Sequence, residues 1–166
     1  MTGAASASGA LLLAAILGWQ APGTLIRIDG DPVVEVLPKD AIPAIDQPVF
    51  VDADQADFMR DDELIIGVAS GGEAKAYSTW LLDGHEIVND HIGSTPIAVT
   101  WCPLCFTGIV YIRSDGVREM TFGVSGRLWR ENLVMYDRQT NSWWSQASGR
   151  SRAGCGASSS GHLIRT

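Results

Sequence analysis

Two cysteines separated by two residues, Cys102-Pro103-Leu104-Cys105, are the part of this sequence best suited to chemistry. A tight turn of that length folds both sulfurs to one side, within reach of a single ion or of each other. That is half of a tetrahedral metal site. No second such pair exists, so further ligands have to come from histidine, carboxylate or open coordination positions. His85 and His91 are the candidates by proximity in sequence. The stretch His85-Glu86-Ile87-Val88-Asn89-Asp90-His91 has the flavour of a zinc-protease helix, but its histidines stand six apart and would face different sides of a helix. The expected site is therefore Cys102, Cys105 and His85 around zinc or copper, with an open position for water or a small molecule. Activated water would make the protein a hydrolase of small esters or lactones, with Glu86 or Asp90 as general base. Two other classes compete. One is a non-catalytic exported metal carrier or structural knuckle; the other is a thiol–disulfide redox protein, which predicts reversible pairing of Cys102 with Cys105 without metal.

Other constellations carry less. Trp101 before the first cysteine resembles the Trp-Cys-x-x-Cys of thioredoxins, yet Phe106 to Ile112 reads as strand, so the helix that would lower a thiol pKa is not expected. Asp52, Asp54, Asp57 and Glu63 have a spacing loosely like a calcium loop, with no glycine at its sharp turn and Ala56 where an oxygen ligand belongs. A helix cap with a solvated acidic face accounts for them better, with weak calcium binding as the alternative. Gly123-Val124-Ser125-Gly126-Arg127 departs from a nucleophile elbow at its last position, where Arg127 stands in place of glycine. Ser125 is expected in a glycine-rich turn, and Arg127 and Arg130 are candidates to hold a substrate carboxylate or phosphate. Trp129, Trp143 and Trp144 read as core or rim.

These residues need a scaffold, and composition supplies its class. The 166 residues suffice for one domain with a real core; 46% hydrophobic and 19% charged residues describe a globular chain. A net charge of −7 repels phosphate backbones, which argues against nucleic acid as a partner. Residues 1–23 hold no charged side chain, and the run from Ala10 to Trp19 is too short to span a bilayer. It fits the apolar part of a signal peptide without the usual basic start, so an extracytoplasmic location is expected. Three cysteines exclude a complete disulfide framework.

Along the chain, two short strands flank the turn Asp29-Gly30-Asp31-Pro32, and Pro38, Pro43 and Pro48 mark an extended surface segment. Asp52 or Asp54 is placed to cap a short helix running to about Arg60. Leu64 to Ala69 and Glu73 to Tyr77 form a hairpin about Gly71-Gly72, and Ser78 to Leu82 one helical turn. Pro96 to Thr100 and Gly108 to Ile112 are the clearest strands and put the cysteines at a hairpin tip. Arg118 to Phe122, Asn132 to Tyr136 and Ser142 to Trp144 complete the set. The expected fold is mainly β, a β-rich α+β chain: a single sandwich- or barrel-like domain of short antiparallel strands over 24–147 with one or two short helices. Residues 148–166, rich in Gly, Ser and Arg, are expected to be disordered.

Four stretches in order resemble domain-of-unknown-function family 3179: His85 to Asp90, Thr100 to Cys105, Phe122 to Gly126, and Asn132 to Thr140 closing on Trp144-Ser145-Gln146. The resemblance covers about Pro43 to Gln146. It implies a prokaryotic, usually exported protein with His85, Cys102 and Cys105 among the family's motif positions, and it supplies no activity. After Gln146 the chain departs from the family's pattern, as a truncated or frameshifted end would.

Overall fold

Short β-rich runs alternate here with residues that hold a positive φ, and the chain reverses at nearly every such point. The computed structural model describes residues 26–114, 116–152 and 164–165; the apolar segment 1–23 lies outside them. Strands β1 (Arg27–Ile28) and β2 (Asp31–Glu35) are joined through Asp29 and Gly30, both at positive φ. Strands β3 (Ile65–Ser70) and β4 (Glu73–Ser78) turn at Gly71 and Gly72, with φ of 59° and 88°. Two consecutive positive φ values give the turn whose twist matches paired strands, and glycine adopts it without steric cost. One helical turn, α1 (Thr79–Leu82), follows, capped by the Ser78 hydroxyl, which accepts from the Leu81 N–H at 3.2 Å. Next come β5 (Ile87–Ile92), β6 (Thr95–Cys102) and β7 (Thr107–Ile112), then β8 (Phe122–Trp129), β9 (Asn132–Asp137) and β10 (Trp143–Ser145). Strands β11 (Ser151–Arg152) and β12 (Ile164–Arg165) end the description.

These strands form curled antiparallel sheets that together make a half-barrel, so the fold is β-rich as the sequence implies. One sheet has the order β1-β2-β8-β9-β10-β11, a second β12-β7-β6-β5, and β3-β4 stand as a separate hairpin. The four-stranded sheet is the middle layer. One face packs Ile87, Ala98, Cys102 and Tyr111 against Phe122, Val124, Leu133, Met135 and Trp144 of the six-stranded sheet. The other packs Val88, Ile97, Val99 and Trp101 against Val68 and Tyr77 of the β3–β4 hairpin. Burial on both faces explains why β6 reads as an unbroken apolar run and not as an alternation.

Four local expectations change. The helix from Asp52 toward Arg60 is only a 3-10 turn, Ala53–Gln55, and the Asp52 side chain makes no cap hydrogen bond. That segment is too short, with Val49, Phe50 and Phe58 all exposed, to offset the cost of helix nucleation by packing. Strand structure expected from Arg118 begins at Phe122, preceded only by a bridge between Ser114 and Glu119. The stretch 123–127, expected as a turn, lies inside β8 as a bulge between Val124 and Arg127. Gly126 is required there: its φ is 72°, and a Cβ would sit 2.1 Å from the Leu37 carbonyl oxygen. The region from 148, expected to lack order, contributes β11 beside β10 and β12 beside β7, while 153–163 lie outside the described residues.

Buried polar side chains stitch the layers. Asn89, 3% exposed, accepts from the Phe122 N–H and donates to the Phe122 carbonyl, both at 2.8 Å, so its amide imitates a strand partner between β5 and β8. Arg113, equally buried, donates to the carbonyls of Asp90, Ile97 and Met120 and to Glu119. Asn89→Ala would leave a buried N–H and a buried carbonyl of Phe122 without partners, at about 1–3 kcal/mol each. The expected outcome is a loss of about 3 kcal/mol of stability, measured as a lower urea midpoint with unchanged slope.

Candidate functional site

The β6–β7 hairpin carries the cysteines because its pairing stops at the Cys102–Thr107 register, leaving Pro103 to Phe106 as the connection. Pro103 has no N–H to extend the ladder, and Phe106 takes a φ of 50°, which turns the chain back into β7. Cys102 faces inward as part of the core between the sheets, while Cys105 is half-buried at the rim. Both are free thiols.

Cys105 sits among hydrogen-bond partners. The Asn132 amide donates to its sulfur at 3.1 Å, the Thr107 hydroxyl lies 3.2 Å away, and the Cys102 thiol is hydrogen-bonded to it. Asn132 cannot turn its oxygen toward the sulfur without losing a contact, since that oxygen accepts from the Ala147 N–H at 2.9 Å. Its NH2 also donates to the Gln146 side-chain oxygen at 3.0 Å. Gln146, fully buried, donates in turn to the Thr107 carbonyl at 2.8 Å and to the Thr100 hydroxyl at 3.2 Å. Tyr111 donates to the Gln146 carbonyl. Thus β6, β7, β9 and the end of β10 converge on one sulfur through a continuous polar network.

The two thiols are driven apart electrically. Burial alone would raise the Cys105 pKa, but hydrogen bonds with Cys102, Thr107 and Asn132 outweigh it and hold the thiol below the ordinary cysteine range. Cys102 is pushed up to about 11, by burial first and then by its hydrogen bond to Cys105. The arrangement is a thiolate-prone sulfur at the surface backed by a protonated thiol beneath it, the division of roles that thiol exchange uses.

Two other candidates, His85 and Glu86, precede β5 beside the cysteine end of β6, where the Glu86 carbonyl accepts from the Trp101 N–H at 2.8 Å. His85, just after α1, has its Nδ1 2.8 Å from the Pro43 carbonyl oxygen. Among the described residues no three His, Cys, Asp or Glu side chains come together as a metal site requires. Glu86 is the middle of a three-residue turn, with φ 58° and the Ile87 N–H donating to the His85 carbonyl at 2.6 Å; burial pushes its pKa up to about 7. Asp90 is partly buried, which by itself raises its pKa, but hydrogen bonds from Tyr77, His91 and Lys75 bring it below the usual value. Lys75 sits 3.0 Å from it, so this carboxylate anchors the β3–β4 hairpin to β5. His91 faces Glu119 at 3.2 Å.

Ser125 is buried, donates to the Val134 carbonyl and accepts from the Arg127 N–H at 3.1 Å, holding the bulge. Arg127 pairs with Glu35 and lies over the Trp143 ring; Arg130 pairs with Asp31 at 2.6 Å and lies over Trp129. Asp52, Asp54 and Asp57 are exposed, and Glu63 accepts from the Ser78 hydroxyl. A cavity of about 940 Å³ lies between the β3–β4 hairpin and the segment around Phe50, and neither cysteine lines it. Sequence reasoning missed Thr107, Asn132 and Gln146. Neutral amides and hydroxyls announce no ligand or titration chemistry, and the one available signal was their position inside or beside the recurring stretches.

A family model described as a protein of unknown function (DUF3179) matches residues 39–163. The match runs past Gln146 into the Gly/Ser/Arg-rich stretch. No curated protein and no solved structure matches the chain.

Two outcomes are expected. In a Cys155→Ser background, iodoacetamide should label Cys105 before Cys102, and Asn132→Ala should move the labelling profile to higher pH. Losing one hydrogen bond to a charged sulfur would slow labelling near neutrality by about tenfold, read by peptide mass mapping. Separately, a carboxyl whose pKa rises from 4.5 to about 7 on folding binds its proton more tightly in the native state, so it costs stability above that range and nothing below it. Glu86→Gln should therefore stabilise the protein at pH 8 by on the order of 2 kcal/mol and leave it unchanged near pH 4, as urea midpoints at the two pH values would show.

Proposed function

The chain belongs to DUF3179, a family of unknown function, and from its own site we propose that it is a thiol–disulfide exchange protein. The observation that carries this reading is the asymmetry of the pair: Cys105 hydrogen-bonded by Asn132, Thr107 and Cys102, with its pKa lowered, and Cys102 buried beside it with its pKa raised. Cys105 as thiolate attacks one sulfur of a substrate disulfide and expels the other as a thiolate. A mixed disulfide remains. Cys102 then attacks the Cys105 sulfur, a Cys102–Cys105 bond forms, and the proton of Cys102 leaves with the second substrate thiol. The substrate gains two electrons and the chain is oxidised to the disulfide. Asn132 and Thr107 act as positioning residues that favour the anion. The uncharged, apolar N-terminal run that suggests export supports the same reading, because extracytoplasmic compartments are where disulfides form and persist.

The test is reaction of the reduced protein with oxidised glutathione. Cys102→Ser should accumulate a one-to-one glutathione adduct at Cys105, the unaltered pair should pass on to the internal disulfide, and Cys105→Ser should remain unmodified on the same timescale. A protein purified without chelator that holds about one zinc or copper per chain, lost in Cys105→Ser and in His85→Ala, would overturn this reading in favour of a metal site.

A further inference from the structure

The residues on either side of the reactive sulfur are apolar and exposed. Leu104 and Phe106, the immediate neighbours of Cys105, are 69% and 75% exposed. The Phe106 ring meets Trp101 edge-on at 5.7 Å, and the Trp101 indole donates to Asp83, the residue ending α1, at 2.7 Å. On α1 itself Trp80 and Leu81 are exposed, and the helix is tied to Leu64 by the Thr79 N–H and hydroxyl. Leu64 is exposed as well. Neither the connection Pro103 to Phe106 nor the helix Thr79 to Leu82 contains an ionisable residue apart from Cys105. The two large apolar side chains that flank Cys105, both exposed, mark a surface built for contact.

We propose that this collar selects the substrate: a polypeptide disulfide flanked by apolar residues, and not a small hydrophilic disulfide. The inference rests on the thiol-exchange reading and adds to it what the exchanged disulfide belongs to. Two properties favour that occupant. The chain's net charge of −7 opposes approach of an anionic disulfide such as oxidised glutathione, and the side chains of Leu104 and Phe106 offer its carboxylates no partner. A polypeptide with leucine or phenylalanine beside its cystine instead buries those side chains against Leu104 and Phe106 as Cys105 meets its sulfur.

The experiment is single-turnover kinetics of the reduced Cys155→Ser protein with three oxidants: oxidised glutathione, a neutral peptide disulfide flanked by leucine and phenylalanine, and the same peptide with serines in their place. The apolar peptide should react at least about tenfold faster than the serine peptide. In Leu104→Ser/Phe106→Ser that preference should disappear, while the glutathione rate stays that of the parent and confirms an intact site. Equal rates for the two peptides with the parent protein would overturn the collar and leave the exchange reading standing. So would a variant slowed equally toward all three oxidants. Failure of all three to react would remove the exchange reading, and the collar with it.

Discussion

The side-chain amide of Gln146 ties the cysteine hairpin to the sheet opposite. It has no access to water, and it reaches Thr100 on β6, the Thr107 carbonyl on β7 and Asn132 on β9. Without it the Thr107 carbonyl would lose this donor, while Thr100 would still donate to the Ile109 carbonyl and Asn132 would still bond Cys105 and the Ala147 N–H. The network is complete or it is worse than an apolar core. Completeness also orients: with the Asn132 oxygen held by the Ala147 N–H, only its NH2 can face Cys105. The same bonds that fasten two sheets thereby set the electrostatics of a sulfur.

The middle sheet makes that economy possible. Because β6 is covered on both faces, Cys102 and Trp101, adjacent in sequence, serve different layers. Cys102 lies in the core shared with the six-stranded sheet, and Trp101 lies in the core shared with the β3–β4 hairpin. Cys102 thus acquires burial, and a raised pKa, from one layer. From the other, Trp101 supports the exposed Phe106 ring beside the reactive sulfur. Asn89 and Arg113 perform the equivalent stitching toward the other end of the same sheet, where Asp90 and Lys75 bind the hairpin to it.

Much of the scaffold was legible in the sequence because β-branched runs and glycine turns are local signals. The hairpin that bears the cysteines, the Gly71-Gly72 turn and the single helical turn at Thr79 follow from them directly. The bulge at Ser125 was not legible, since it depends on Leu37 approaching Gly126 from a distant part of the chain. The site was half legible. Cysteine spacing identifies a pair of sulfurs, but the groups that separate their proton affinities include Thr107 and Asn132, which only the pairing of the strands brings to Cys105. No helix follows Cys105; an amide donor, Asn132, bonds its sulfur instead.

Strand β5 ends its sheet, and an open strand edge invites another chain to add itself there. Its outer edge is occupied by Ile45, whose N–H donates to the Ile87 carbonyl at 2.9 Å and whose carbonyl accepts from the Asn89 N–H at 2.8 Å. Pro43 and Pro48 bracket that contact and carry no N–H with which to prolong it. The extended proline segment therefore works as a selvedge, finishing the woven edge so that it neither frays nor catches on another copy of itself. Loosening residues 43–48 would expose the edge of β5 to pairing with another chain and, because Ile42 and Ala44 pack on the core that holds Cys102, would disturb the cysteine hairpin as well.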